Sequence, residues 1–201
     1  MNYAGDIVKK IRLLGFRKIF ICLIKSLYYR LLGLFFKFDS WHARTPYECR
    51  TYKKIVVDLV NGLSKKSVVE IGCGLGEIIS RIQAEKKYAY DKDQFVINAA
   101  SFLHPYGTVF RTGTFHNLDS EESCIDVIIA VNVLCNMAPE QAKECLMALL
   151  SRIRPTYLVL DSVECDYGLC HDYVRLLPSE LEECLKVYDN EARWIFVYKV
   201  S

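Results

Sequence analysis

The stretch Val68-Val69-Glu70-Ile71-Gly72-Cys73-Gly74-Leu75-Gly76-Glu77, VVEIGCGLGE, passes from a short apolar run straight into three alternating glycines with an acid on either side. An apolar run ending in glycines is how a buried strand turns into a loop whose backbone can approach a ligand closely. The G-x-G-x-G spacing departs from the dinucleotide fingerprint G-x-G-x-x-G, because Glu77 follows Gly76, and no Lys-Ser or Lys-Thr completes a P-loop. Two carboxylates, Glu70 and Glu77, beside the loop oppose a pyrophosphate seated at a helix N-terminus. A ligand with an ammonium group, a ribose and no phosphate suits this loop better.

Outward from the loop, the chain beyond Ser64 alternates short apolar runs with helical stretches, the pattern of βαβ units and a parallel sheet. Strands are expected at Ser67–Ile71, Lys87–Asp91, Gly107–Arg111, Asp126–Val131, Tyr157–Asp161, Lys186–Tyr188 and Trp194–Lys199. Helices are expected at Gly76–Gln83, Gln94–Leu103, Pro139–Ile153 and Ser179–Cys184. The last two strands, joined by Asp189-Asn190-Glu191-Ala192, should form an antiparallel hairpin at one edge. In such a sheet the ligand crevice lies beyond the carboxyl ends of the strands, so Glu70, Asp91, Thr112 to Phe115, Asn132 and Asp161 become the residues of interest. Asp91, in YAYDKD, sits about where the ribose-binding acid of a nucleotide βαβ unit is expected, and a carboxylate there accepts from both ribose hydroxyls.

Upstream, Thr45-Pro46-Tyr47-Glu48 combines a capping-box pattern with proline at the first helical position. It predicts a helix running to about Asn61-Gly62 with Ile55, Val56, Leu59, Val60 and Leu63 as its buried stripe. The chain therefore divides into a basic amphipathic helical segment (1–40), a capping helix (41–63) and the α/β domain (64–201). A length of 201 residues suits one full core rather than two.

The net charge of +2 hides an asymmetry: residues 1–38 hold eight Lys and Arg against Asp6, leaving 18 basic and 23 acidic residues elsewhere. An anionic partner is thus expected for the N-terminal segment alone. Residues 7–38 read as helix, with Gly15 and Gly33 as candidate breaks. The longest uncharged run, Ile19 to Ile24, is too short for a spanning helix. Two readings stay open for this segment: helices lying on an anionic membrane surface, or helices packed on the domain, with a homo-oligomer contact as a variant of the second. Nucleic acid is not the expected partner. The nine cysteines are expected as separate reduced thiols in the cytoplasm, no cleavable signal peptide being recognised. None of the His and Cys spacings is that of a metal site, Cys165, Cys170 and His171 coming nearest, so a metal-independent reaction is expected.

VVEIGCGLGE, AYDKD and DVIIAVNVL together resemble the successive cofactor motifs of class I S-adenosylmethionine-dependent methyltransferases, over roughly Val68 to Ser201. The resemblance implies a Rossmann-like fold: a mostly parallel seven-stranded sheet with an antiparallel last strand. It also implies S-adenosylmethionine as cofactor. By position, Glu70, Gly72, Gly74 and Gly76 would surround its methionine portion, Asp91 its ribose, Lys92, Thr114 and Phe115 its adenine, and Asn132 the reacting end. Lys92 departs from the apolar residue often found after the ribose acid, and Thr114 from the acid that often meets the adenine amino group. The basic apolar start followed by FDSWHARTPYECRTYKKIV is similar to small methyltransferases of bacterial surface-polysaccharide synthesis. That similarity implies a saccharide or small-molecule hydroxyl as acceptor; from the basic segment, a cytoplasmic protein peripheral to the inner face of the membrane is the expected location.

A hydroxyl acceptor benefits from a base, and histidine has the suitable acidity. His171, in CHDYVRLLP after the fifth strand, is expected on a loop over the crevice as that base, with His42 in WHARTPYECR next. His104 and His116 read as turn residues. Trp41, Arg50, Tyr52 and Asp161 are the candidate substrate contacts: Trp41 to stack on a sugar, Arg50 and Tyr52 to meet a carboxylate or acidic group, Asp161 from the end of its strand. Two further function readings are an inactive cofactor-binding subunit of a partner enzyme and a nicotinamide-dependent oxidoreductase, the latter opposed by Glu70 and Glu77.

Overall fold

A computed structural model describes residues 16–44, 46–118, 125–163, 171–189 and 192–201. Seven strands form one sheet in the order β3-β2-β1-β4-β5-β7-β6. They are β1 (Ser67–Ile71), β2 (Lys86–Asp91), β3 (Val109–Thr112), β4 (Val127–Ala130), β5 (Tyr157–Val163), β6 (Leu181–Tyr188) and β7 (Arg193–Val200). β1 to β5 run parallel, whereas β7 is antiparallel to both β5 and β6. The chain reverses its order of strand addition between β1 and β4, which opens the crevice at the carboxyl ends of these strands.

Every residue of β1 is buried, as a central parallel strand covered on both faces requires. Alternation then sorts the side chains. Val69, Ile128, Leu158 and Tyr198 join one core with Leu146 and Leu149, while Val68, Ile129, Val159 and Val197 join the other with Val56, Val60 and Ile97. The helices are α1 (Phe16–Phe36), α2 (Ser40–Ala43), α3 (Thr51–Gly62), α4 (Gln94–Leu103), α5 (Pro139–Leu150) and α6 (Tyr173–Leu176). Asp126 closes the far end of the sheet: its Oδ2 accepts from Lys66 N, Ser67 N and Ser67 Oγ at 2.8–2.9 Å, bonds that hold its carboxyl below the usual range.

Several expectations are corrected. The segment Gly76–Gln83 is turns and a single 3-10 turn (Ile79–Arg81), not an α-helix, because Gly76 takes φ +71° and the Ile79 amide donates to the Glu70 carboxyl at 3.0 Å. Ser179–Cys184 is not a helix either. Leu181 opens β6, pairing with Val200, and cross-strand pairing overrides the local helix-forming Leu-Glu-Glu. Thr45 lies outside the described residues; Tyr47–Cys49 form a 3-10 turn and α3 starts at Thr51, since Glu48 turns its carboxylate to Lys25 rather than to a cap. Val57 is buried in α3 where Leu59 and Leu63 are only partly so.

Gly33 does not break α1. Its missing side chain makes room for Phe38, whose ring would lie 3.3 Å from a Cβ there. Arg17–Phe36 is therefore one helix long and apolar enough to cross a membrane by length and composition, which the short uncharged run alone had hidden. One face of it is bound to the domain, however. Tyr29 and Leu32 are buried with Leu75, Val96 and Ala99, and Lys25 pairs with Glu48. The expectation of nine separate thiols fails at one pair, since Cys22 of α1 and Cys49 form a disulfide with Cα atoms 5.8 Å apart. Such pairing requires two distant segments to meet, which spacing in the sequence does not show. Cys124, Cys165 and Cys170 lie outside the described residues, as do residues 1–15 of the basic segment and Asn190-Glu191 of the hairpin turn.

Candidate cofactor and active site

Ile71 and Asp91, at the ends of β1 and β2, and Val131, one residue past β4, open on a cleft of about 690 Å³, within the usual range for small-molecule sites. Its floor is the loop after β1. Gly72, Gly74 and Gly76 all have positive φ, at 73°, 52° and 71°. At Gly72 the need is double, because a Cβ would also come within 2.2 Å of the Val133 side chain. At Gly74 the roof is less close: a Cβ would sit 3.2 Å from the His42 ring. The loop is pinned to β2 by Gly72 N and Cys73 N, both donating to the Tyr90 carbonyl at 2.7 and 2.9 Å.

Asp91 ends β2 almost fully buried. Its Oδ2 accepts from Gly74 N at 3.0 Å and its Oδ1 from Asp93 N at 3.1 Å. A carboxylate has about four acceptor sites, so each oxygen keeps one for a ligand hydroxyl. Lys92, Gly113, Thr114, Phe115 and His116 continue the wall, with Thr114 N and Oγ1 both tied to Asn117 Oδ1.

The two acids that flank the loop behave unlike the charges the sequence suggests. Glu70 is wholly buried on the cleft wall, and burial pushes its carboxyl up to about 8, against the opposing Ile79 amide. It is mostly protonated at neutral pH. Glu77 is buried too, but its charge is satisfied: Lys53 Nζ donates to Oε2 at 2.6 Å, and Tyr29 Oη and Tyr47 N donate to Oε1 at 2.8 and 2.9 Å. Burial and this carboxylate hold the pKa of the Tyr29 phenol well above its ordinary value. Glu77 thus fastens α1, the 3-10 turn and α3 to the glycine loop. A pyrophosphate is disfavoured less by repulsion from these acids than by the lack of an α-helix N-terminus after Gly76.

His42 and Trp41 form the cleft's roof and rim on the short helix α2. Asp39 caps that helix, accepting from Trp41 N and His42 N, and its Oδ1 also receives His42 Nδ1 at 2.9 Å. Burial raises the Asp39 carboxyl, but the hydrogen bonds from His42 outweigh it and leave the group below its ordinary value. With Nδ1 donating, the neutral ring presents Nε2 as an acceptor. Trp41 is 54% exposed and lines the cleft, rather than being buried in the cap.

At the opposite wall Asn132 takes φ +64°, a conformation asparagine tolerates better than most residues. Three contacts hold it: its N donates to Asp161 Oδ1 at 2.8 Å, its Oδ1 accepts from Arg193 Nη2 at 3.0 Å, and its carbonyl accepts from Asn136 Nδ2. Arg193 also pairs with Asp161 and lies over the Tyr52 ring at 4.3 Å.

The structure thus brings Glu70, Gly72, Gly74, Asp91, Lys92, Thr114, Phe115, Asn132, Trp41, His42 and Tyr52 to one cleft. Four expected site residues stand elsewhere. Gly76 turns the chain behind the loop against Phe110. Arg50 is partly buried away from the lining, and Asp161 lies beneath Asn132 with no exposed surface. His171 is not on a loop over the crevice: it is buried, with its N donating to Ser162 Oγ and Nε2 3.0 Å from the Leu134 carbonyl. The sequence reading passed over Asp39, Lys53 and Arg193. Asp39 had a signal, an acid three residues before His42. Arg193 had none, because its role depends on the β6–β7 hairpin returning it to the end of β4.

No family model matches the chain, and no curated protein is similar to it in sequence. Solved structures share its fold. The N-methyltransferase NodS from Bradyrhizobium japonicum, in complex with S-adenosyl-L-homocysteine, superposes over 88% of this chain and 98% of its own with TM-score 0.67 and 14% identity. The fold is that of the class I methyltransferases. Magnesium protoporphyrin IX methyltransferase from Synechocystis, with bound S-adenosyl-L-homocysteine, matches 75% of this chain and 84% of its own with TM-score 0.60 and 18% identity. A TehB-like S-adenosylmethionine-dependent methyltransferase from Corynebacterium glutamicum matches 76% and 88%, with TM-score 0.59 and 18% identity. The expected architecture, parallel with an antiparallel last strand, is thereby met in full.

Proposed function

We propose that this protein is an S-adenosylmethionine-dependent methyltransferase acting on a hydroxyl oxygen of a saccharide or other small molecule. The observation that carries the reading is Asp91. It ends β2 beside the glycine loop, with one acceptor site left on each carboxylate oxygen, in a cleft of suitable volume. That geometry fits two vicinal ribose hydroxyls. The fold shared with proteins crystallised with S-adenosyl-L-homocysteine or S-adenosylmethionine supports the choice of cofactor.

When bound, the cofactor supplies an electrophilic methyl group on a sulfonium. The protein's own contributions are positioning, exclusion of water and removal of one proton. Gly72 and Gly74 admit the ligand close to the backbone, and Glu70 offers a carboxyl to its ammonium. His42, oriented by Asp39, accepts the acceptor hydroxyl's proton at Nε2. Trp41 offers an exposed aromatic face for a sugar ring at the mouth of the cleft. The resemblance read from sequence in the basic start and Phe38–Val56 is what motivates a glycan acceptor, and with it a cytoplasmic setting. In that reducing setting Cys22 and Cys49 would be thiols for much of the time.

Calorimetric titration with S-adenosylmethionine, S-adenosyl-L-homocysteine and NAD tests the reading. Binding of the first two and not of NAD is expected; binding of NAD alone would overturn it.

A further inference from the structure

α1 has two apolar faces. The inner one, with Tyr29 and Leu32, is buried on the domain. On the outer one Phe20, Leu23, Leu27, Leu31, Leu34 and Phe35 are each 57–79% exposed. At 3.6 residues per turn these six fall within an arc of about 120°. Phe36 meets Phe102 of α4 with ring centroids 5.5 Å apart, and Phe102 is itself exposed, so the apolar surface continues beyond the helix. A contiguous exposed patch of this kind marks an interaction surface.

Charge identifies what it meets. α1 carries no acidic residue. Arg17, Lys18 and Arg30 are exposed along it, and Lys37, also exposed, follows its last turn. On the helical wheel Arg17 and Arg30 fall at the edges of the apolar arc, positions from which a long side chain reaches the plane of lipid headgroups, and Lys37 lies just past the helix end at φ +64°. A second copy of the same face would oppose these cations with cations and supply no counter-charge. A membrane-spanning position would require α1 to give up the Tyr29 bond to Glu77, the Lys25 pair with Glu48 and the Cys22–Cys49 link.

We propose that the outer face of α1 docks the protein on an anionic lipid bilayer, with the helix lying in the plane of the interface while its inner face stays on the domain. This inference does not depend on the methyl-transfer reading.

Flotation of the full chain with vesicles of phosphatidylcholine alone, or of phosphatidylcholine with phosphatidylglycerol, is the test. The protein should float with the anionic vesicles and remain behind with the neutral ones. Leu27→Glu with Leu31→Glu, at exposed positions, should abolish flotation while leaving the thermal midpoint and oligomeric state unchanged. Arg30→Gln with Lys37→Gln should weaken partition about 30-fold, at roughly 1 kcal/mol per cation near an anionic surface. The proposal is overturned if the wild-type protein does not float, or if it floats equally well with the two leucines replaced. It is equally overturned if the leucine variant converts a solution dimer into a monomer and the wild type binds no vesicles.

Discussion

If the cleft holds the methyl donor as proposed, a Glu70 carboxyl pushed up to about 8 by burial should make its binding a proton-release reaction. At pH 7, a carboxyl raised to about 8 by burial is about 0.9 protonated. An ammonium brought against it favours the carboxylate and pulls the group back toward its ordinary range, so about 0.9 proton should leave per cofactor bound. At pH 9 the group is already mostly ionised and release falls to about 0.1. Titration of S-adenosyl-L-homocysteine in buffers of different ionisation enthalpy measures this number directly, as the slope of binding enthalpy against buffer enthalpy. Glu70→Gln mimics the protonated acid, keeps an acceptor for Ile79 N and should bind with no buffer dependence. Stability carries the same sign. The folded protein holds a proton that the unfolded chain releases from about 4.5, so Glu70's contribution is complete below that pH and lost as pH rises toward 8, a change of about 5 kcal/mol. Glu70→Gln should accordingly melt above wild type at pH 8. Buffer-independent enthalpy in the wild type at pH 7, or unaltered release in Glu70→Gln, would refute the reasoning.

Three further outcomes follow from the site. Asp91→Ala should weaken cofactor binding by about 1–3 kcal/mol through loss of charged hydrogen bonds, read by calorimetry; unchanged affinity would remove the ribose assignment. His42→Ala should lower kcat by on the order of 100-fold while sparing cofactor affinity, with Asp39→Asn showing a smaller loss and a shifted pH–rate profile. Full activity in His42→Ala would exclude it as base. Glu77→Ala removes the buried carboxylate that pairs with Lys53 Nζ and should cost about 3–5 kcal/mol in denaturant unfolding. It should also loosen α1, read as faster proteolysis at Arg17 and Lys18, and equal proteolysis would contradict the fastening role of Glu77.

Local chemistry made much of this fold legible. The strand at Ser67–Ile71, the glycine turn after it and α4 at Gln94–Leu103 were readable to the residue, because strong periodicity, glycine and the Asp93 cap all point the same way. The remainder depended on partners distant in sequence. The helix expected after Gly76 gives way to a tight turn because Glu70 and Glu77 draw its polar groups into the core and the N-terminal cap. β6 begins in a helix-favouring Leu-Glu-Glu because β7 lies beside it. His171 was expected in the crevice from its place after a strand, yet that strand runs on to Val163, and His171, just before the Asp172 cap of α6, is buried against Ser162 Oγ and the Leu134 carbonyl. α1 departs from the amphipathic helix expected of this segment for a physical reason as well: it buries one apolar face and exposes another, so it has no single polar side. Asp91, Gly72 and Gly74 could be placed at the cleft from sequence because backbone conformation and charge at a strand end restrict which residues can serve there.

The central claim is that this cleft holds the methyl donor with its ribose on Asp91, and the most direct measurement is a crystal structure with S-adenosyl-L-homocysteine. Both ribose hydroxyls should lie within hydrogen-bond distance of the Asp91 carboxylate, with the amino-acid end over Gly72–Gly74 beside Glu70 and the sulfur facing the space between His42 and Asn132. A ligand bound outside this cleft, or bound within it with its ribose away from Asp91, would contradict the account.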